Sequence, residues 1–424
     1  MRILMLNAYF QPEQIAFTHL EKDLLDAFVR EGFSIDVIVP IPTRGVDRDT
    51  IKSYSKKKKE VMYGGALRVY RFWAPQEGRN SIIRAIRYLW CNLREYQIGK
   101  NFKNTDVVFC VSTPPTQGWV AGKVKKYIEK HGNKDVKLVY NLQDIFPDSL
   151  INAGLTKKNS LLWKIGRNIE NTTYSTADRI IVISEFCKKN IQEKGVSASK
   201  ITLISNWIDL KEVEHIKRDD NGLFDELKID RGKFIVLYAG NMGETQGIDV
   251  ILSAADNLQI HNDVYFVLFG SGSKYDTIKS KVKELKLDNV TIYPLMKMNR
   301  ISEVYSMGNV ALITCKKGTG KAGLPSKLWT IMGCGTPIIS AFDLESDLVK
   351  HIIASRSGIC VEPENAKELS EAILNMYLEK TIFSSSTMRE YVRENAEKEV
   401  CVNKYVEVLQ GVHYKWKKTT RRNA

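Results

Sequence analysis

At 424 residues the chain is too long for one compact core, so two domains are expected, and a composition of 43% hydrophobic and 26% charged residues is ordinary for a soluble globular protein. No apolar run approaches the length of a membrane span, residues 1–10 pass straight into Gln11-Pro12-Glu13 and make no signal peptide, and seven scattered cysteines without a Cys-x-x-Cys pair read as reduced cytoplasmic thiols rather than a disulfide frame or zinc site. The formal net charge of +14 is the one outlier: it points to a polyanionic partner, whether nucleic acid, anionic lipid or a phosphorylated substrate.

Residues 2–6 read as a buried strand, 19–30 as an amphipathic helix closed by Gly32, and 34–39 as the next strand, a strand-helix-strand unit of parallel-sheet type. Residues 40–60, ending in Lys56-Lys57-Lys58-Lys59, read as a mobile, solvated basic loop, and Asp47-Arg48-Asp49 within it as surface charge rather than a metal-binding pair. Residues 81–96 put Ile82, Ile83, Ile86, Leu89, Trp90 and Leu93 on one helical stripe and Arg84, Arg87 and Arg94 on another. Such a helix either lies on an anionic membrane surface with Tyr88 and Trp90 near the headgroups, or buries its apolar stripe at a domain edge. Strands are expected at 106–111, 136–141, 179–183 and 201–204. Functional groups of open parallel sheets collect at strand carboxyl ends, which nominates Asp144, Ser184, Glu185 and Asn206.

Residues 211–232 are polar without apolar period and mark the domain junction. The alternation then restarts with strands at 234–239, 264–269, 290–293, 310–314, 338–340 and 358–361, a second doubly wound sheet. The tail is helical and basic. A phosphate-binding P-loop at 318–322 fails at two of four defining positions, because Cys315 stands for the first glycine and Ala322 for the Ser/Thr. Gly270-Ser271-Gly272 lacks the third glycine of a dinucleotide fingerprint. Gly240-Asn241-Met242-Gly243-Glu244-Thr245-Gln246-Gly247 is stronger: glycines between a buried strand and a helix let backbone N–H groups approach a phosphate, although a tight turn would need one or two of them.

The segment 320–340 reads as loop, short helix and strand start. Pro325 suits a first helical turn, Leu324, Leu328, Ile331 and Met332 share a face, and Gly335 ends the helix. Lys327 is the misfit. A cation in the first turn opposes the helix dipole by roughly 0.3 to 1 kcal/mol. A bound diphosphate would compensate, whereas the structural alternative is a solvated lysine.

In their order along the chain, Gly240 to Gly247, Gly270-Ser271-Gly272, and Leu324-Pro325-Ser326-Lys327 to Gly335-Thr336-Pro337 resemble glycosyltransferase family 4 of the GT-B fold, and more narrowly its WbuB-like subgroup of surface-polysaccharide transferases. Phe10-Gln11-Pro12-Glu13, Thr113-Pro114-Pro115, Asp144-Ile145-Phe146-Pro147-Asp148 and Asn206-Trp207-Ile208-Asp209 resemble that subgroup's segments. The resemblance implies two Rossmann-like α/β domains facing across a cleft: 1–208 for the acceptor, 209–400 for a nucleotide-sugar donor, and 401–424 a helix with a basic tail, returning to the first domain. It implies retaining transfer of a hexose from a UDP-sugar to a lipid-linked glycan, with no cofactor or metal, by a cytoplasmic protein peripheral to an anionic membrane surface, and no nucleic acid. The implied donor residues are Gly240, Asn241, Met242, Gly243, Gln246, Gly247, Gly270, Gly272, Pro325, Ser326, Lys327 and Thr330, with Lys327, Asp144 and Glu185 in catalytic roles. The chain departs from the family where an arginine and a lysine usually flank the glycine loop, here Asn241 and Gln246, and where two glutamates usually touch the donor, here Ala322 and Thr330. The first-domain glycine loop is altered to Ile15-Ala16-Phe17. With two cations gone, Lys327 is the cation left to hold a diphosphate. A UDP-sugar epimerase of the same fold and a catalytically degenerate transferase subunit are the alternatives.

Overall fold

The computed structural model describes the chain except residues 14–16, 78–80, 153–155, 322, 380–382 and 421–424, and describes only the backbone of 19, 81, 82, 152 and 414–420. Ala322, Ile15-Ala16 and the side chains of the basic tail therefore lie outside the described residues. The chain divides into two compact units, Met1–Ser205 with Cys401–Ala424, and Asn206–Val400. Among the described residues no helix is long and apolar enough to cross a membrane.

The first unit is built on eight strands: β1 (Arg2–Leu6), β2 (Ser34–Pro40), β3 (Lys59–Met62), β4 (Leu67–Phe72), β5 (Val107–Val111), β6 (Lys137–Leu142), β7 (Arg179–Val182) and β8 (Ile201–Leu203). They lie in the order β3-β4-β2-β1-β5-β6-β7-β8, all parallel except β3 on β4. The central strands are near-continuous apolar runs because helices cover both faces. Its helices include α1 (Thr18–Arg30), α2 (Ser81–Gly99), α3 (Gln117–His131) and α4 (Glu185–Glu193).

The stretch 40–60, expected to be an irregular loop, instead carries the helix Arg48–Ser55, started by Asp47, whose carboxylate accepts the Thr50 N–H at 2.7 Å, and then β3. β4 was hidden by its arginines. Arg68 forks onto Asp36 of β2, while Arg71 is buried between Glu60 and the Gln11 carbonyl, so two charged side chains sit in a strand because the neighbouring strands neutralise them.

The second unit holds β9 (Phe234–Asn241), β10 (Val264–Ser271), β11 (Val290–Pro294), β12 (Val310–Thr314), β13 (Ile338–Ala341) and β14 (Gly358–Val361), all parallel, in the order β11-β10-β9-β12-β13-β14. The winding reverses between β9 and β12, so their carboxyl ends flank the crevice where such sheets bind ligands. The helices that matter there are α5 (Ile248–Asn257) and α6 (Lys327–Gly333). The last helix, α7 (Lys398–Thr420), carries the chain back: Cys401, Val402, Tyr405 and Leu409 are buried, Tyr405 lies beside Phe109 of β5, and its hydroxyl donates to Asn141 Oδ1 at 3.2 Å.

Candidate active site

The second unit gathers most of the nominated residues at the carboxyl end of β9. β9 is buried as far as Ala239 and surfaces at Asn241. Tyr238, fully buried, donates its hydroxyl to the Asn241 carbonyl at 2.7 Å, which ties the strand end to its own last turn. Over the Tyr238 ring, 4.3 Å from its centroid, stands Lys327 Nζ. A Cβ on Gly240 would lie 3.2 Å from that nitrogen, so the glycine leaves the ammonium its place.

Lys327 opens α6 directly after Ser326, whose side chain makes no cap bond; Pro325 precedes them and its carbonyl accepts the Leu328 N–H at 3.0 Å. Leu328, Trp329, Ile331 and Met332 are buried, Trp329 lying between His351 and Tyr391. Gly335, at φ 70°, closes the helix with a double reversal, its N–H bonded to Met332 and that of Thr336 to Ile331. Lys327 Nζ is buried and has no hydrogen-bond partner among the described residues. Loss of water pushes its pKa from the usual lysine range down to about 8. That shift corresponds to about 3 kcal/mol against the charged form. Four apolar side chains at roughly 1.5 to 3 kcal/mol each outweigh it, so α6 holds while one ammonium stays without a counter-ion among the described residues.

The glycine loop works differently from the expectation that its N–H groups face a phosphate. Met242 is a core side chain whose Cε would meet a Cβ on Gly270 at 2.5 Å; its N–H goes to the Ser271 carbonyl at 2.7 Å, and its carbonyl takes the Lys274 N–H. Its N–H is therefore engaged within the protein, which corrects the sequence reading. Gly272 makes room for Asn241, whose Oδ1 would lie 2.3 Å from a Cβ there. Gly247, at φ 62°, starts α5, and a Cβ there would lie 2.7 Å from the Cys315 backbone. Gln246 is half-buried and its carbonyl accepts the Thr314 hydroxyl at 2.6 Å. The N–H groups of Gly243, Ser326 and Lys327 make no backbone bond among the described residues. Thr330 lies half-buried one turn beyond Lys327.

Two cations escaped the sequence reading. Lys274 and Lys316 reach Glu244 of the glycine loop at 2.8 and 2.5 Å, and together they hold its carboxyl down at about 2. The signals were a lysine two places after Gly272 and another two places after β12, each at a strand end of the same crevice. The loop at 318–320 gives its Gly318 and Gly320 N–H groups to the Asp343 carboxylate, both at 2.8 Å, which leaves them unable to cradle a phosphate. Among the described residues no three His, Cys, Asp or Glu side chains are grouped to hold a metal ion.

Asp144 and Glu185 belong to the first unit. Asp144 follows β6, and its N–H donates to the Ser112 hydroxyl at 3.2 Å. Although the residue as a whole is exposed, chain atoms crowd its carboxyl, and this lost hydration, with the charge of Asp148, raises its pKa. Glu185 is the exposed first residue of α4, beside the Ser184 cap, and its carboxylate meets Lys188 at 3.1 Å. At the carboxyl ends of β1 and β5, Asn7, Tyr9, Glu21 and Thr113 line a small cavity. Glu21 of α1 is buried, accepts from the Asn7 amide, and is pushed up to about 8, so it stays a neutral acid near pH 7. The helical stripe of residues 19–30 had concealed it.

The model of the family described as glycosyl transferases group 1 matches residues 219–399, and that of glycosyltransferase family 4 matches 22–212, so the two cover nearly the whole chain. WcaI of Escherichia coli K12, named provisionally as a colanic acid biosynthesis glycosyl transferase, is 26% identical over 65% of this chain and 68% of its own length. WbjE of Pseudomonas aeruginosa, also named provisionally as a glycosyltransferase, is 28% identical over 56% of this chain and 59% of its own. The Anabaena protein HepE, solved in complex with UDP, superposes with a TM-score of 0.71 over 97% of this chain and all of its own at 14% identity, a likeness of GT-B fold.

Proposed function

Since the chain belongs to the family 4 glycosyltransferases, with the group 1 domain as its second half, we propose that it moves a hexose from a UDP-sugar to a lipid-linked glycan in surface polysaccharide assembly, with retention at the anomeric carbon. The observation that carries this reading is the ammonium of Lys327 at the crevice of the second sheet, buried and without a counter-ion among the described residues. A leaving nucleoside diphosphate supplies the missing charge. As the bond from the anomeric carbon to the phosphate oxygen lengthens, charge grows on the diphosphate, and a fixed cation in a water-poor site stabilises that charge without reorganising. The N–H groups of Gly243 and Ser326 add to it, and Lys274 and Lys316 exchange Glu244 for phosphate oxygens. In a front-face reaction the departing oxygen takes the acceptor proton as the new glycosidic bond forms, so no separate base is needed. Asp144 orients the acceptor and Glu185 is the second acid for that task. No metal or other cofactor takes part, and the protein works on the cytoplasmic side of the membrane.

UDP in the HepE complex and the colanic acid name of WcaI support the donor and the pathway class. The test is a screen of UDP- and GDP-sugars by thermal shift, followed by incubation of the best binder with lipid-linked glycans. Stabilisation by UDP and a product heavier by one hexose are expected. Conversion of the donor with no acceptor present would make the protein an epimerase, and no nucleotide binding would make it a degenerate subunit.

A further inference from the structure

α2 buries charged and polar side chains while exposing much of its apolar stripe. Beside Cys91 and Ile98, which pack on the core, its buried side carries polar groups: Arg87 (1% exposed) donates to the Pro75 carbonyl, Asn92 accepts from the Thr116 hydroxyl, and Glu95 (0%) accepts from Gln117. Its outer side carries an apolar ridge beside the exposed Arg84. Leu89 is 65% exposed, Ile86 56% and Leu93 49%, with Ile83 and Trp90 on the same face. Burying this stripe at a domain edge was one expectation; it is overturned for Ile83, Ile86, Leu89, Trp90 and Leu93, while the Ile82 side chain lies outside the described residues, and Arg87 of the expected cationic stripe is buried. An exposed apolar ridge of this extent calls for an apolar partner.

Beside the ridge, a cavity of about 550 Å³ opens between α2 and α3, floored by Leu93, Tyr96, Trp119 and Tyr127. It runs from Trp119 to Lys130, roughly 16 Å at the helical rise. Its rim is cationic. Lys123, Lys126 and Lys130 line it, Lys123 standing 3.8 Å over the Trp119 ring, and none of the three forms an ion pair among the described residues. Glu129 is the only acid in α3, and Glu95, buried, the only one in α2. A second copy of this face would set cations against cations, whereas an anionic bilayer matches both the ridge and the rim.

We propose that α2 and α3 form a monotopic lipid-binding face: the α2 ridge enters the boundary between headgroups and acyl chains, the three lysines hold lipid phosphates, and the groove seats one acyl chain of an anionic phospholipid. It rests on the proposed lipid-linked acceptor only in placing the enzyme where such an acceptor resides.

The full chain is floated with vesicles of phosphatidylcholine alone or mixed with phosphatidylglycerol, alongside a thermal shift with UDP. Flotation is expected only with phosphatidylglycerol. Joint replacement Lys123→Ser, Lys126→Ser, Lys130→Ser should lower the partition coefficient about a hundredfold. Leu89→Ser with Leu93→Ser should abolish flotation; both positions are exposed, and an unchanged UDP shift and melting curve verify the fold. Quenching of tryptophan fluorescence by phosphatidylglycerol with brominated acyl chains should fall in Trp119→Phe. Flotation that survives either set of substitutions, or quenching indifferent to Trp119→Phe, overturns the inference. So does a dimer in sedimentation that Leu89→Ser with Leu93→Ser dissociates, with no flotation of the parent. Flotation as expected without any UDP shift leaves the lipid face standing and defeats the transferase reading; a UDP shift without flotation does the reverse.

Discussion

Lys327 is the residue on which the proposed donor site turns, and its burial sets an expected pH signature. With the folded pKa near 8 and an ordinary lysine near 10.5, the unfolded chain holds a proton that the folded chain has released between those values, so stability rises with pH across that window. Below about 8 both forms are protonated and the destabilisation is full. Lys327→Met should therefore make the ligand-free protein more stable at pH 7 by roughly 1 to 3 kcal/mol, a gain that fades towards pH 10.5, while turnover falls by about a hundredfold or more. Urea titrations at several pH values and steady-state rates check the two halves. A bound diphosphate restores the ammonium, so UDP binding at pH 8.5 should take up a proton, seen by calorimetry as a heat that depends on the buffer's ionisation enthalpy. A binding heat independent of buffer would mean that Lys327 does not meet the phosphate.

At the scale of elements, the glycines of the β9 loop matter mainly for packing. Gly270 admits the Met242 side chain, Gly272 admits Asn241, and Gly247 takes a left-handed conformation where a Cβ would meet the Cys315 backbone. Gly247→Ala combines that conformation with a Cβ at 2.7 Å from backbone atoms that cannot rotate away. It should cost about 2 to 4 kcal/mol and weaken UDP binding, measured by denaturant unfolding and by the UDP thermal shift. The glycine spacing was legible in the sequence because a strand followed by a loop and a helix can close in few ways. Lys274 and Lys316 were not, because their meeting at Glu244 depends on three strand ends converging. β4 went unread, and the two readings of the α2 stripe stayed open, for a related reason: burial of Arg71 and Arg87 depends on partners at Glu60, Gln11 and Pro75, which no local period reveals.

Across the whole molecule, the return of α7 makes the first unit depend on the chain's last segment. Tyr405 is fully buried beside Phe109 and bonded to Asn141. Tyr405→Ala should destabilise the first unit by about 3 to 5 kcal/mol and leave the UDP-dependent shift of the second intact, read as a two-step melt in which only the UDP-insensitive step moves. The sequence by itself determined two doubly wound sheets, the strand ends where chemistry collects, and the anomaly of Lys327, because apolar periodicity, glycine conformation and a helix dipole are local physics. Only the tertiary structure decided which charges are buried, which lysines gather round the glycine loop and which side of α2 faces out, because burial and ion pairing depend on distance in space between residues far apart along the chain.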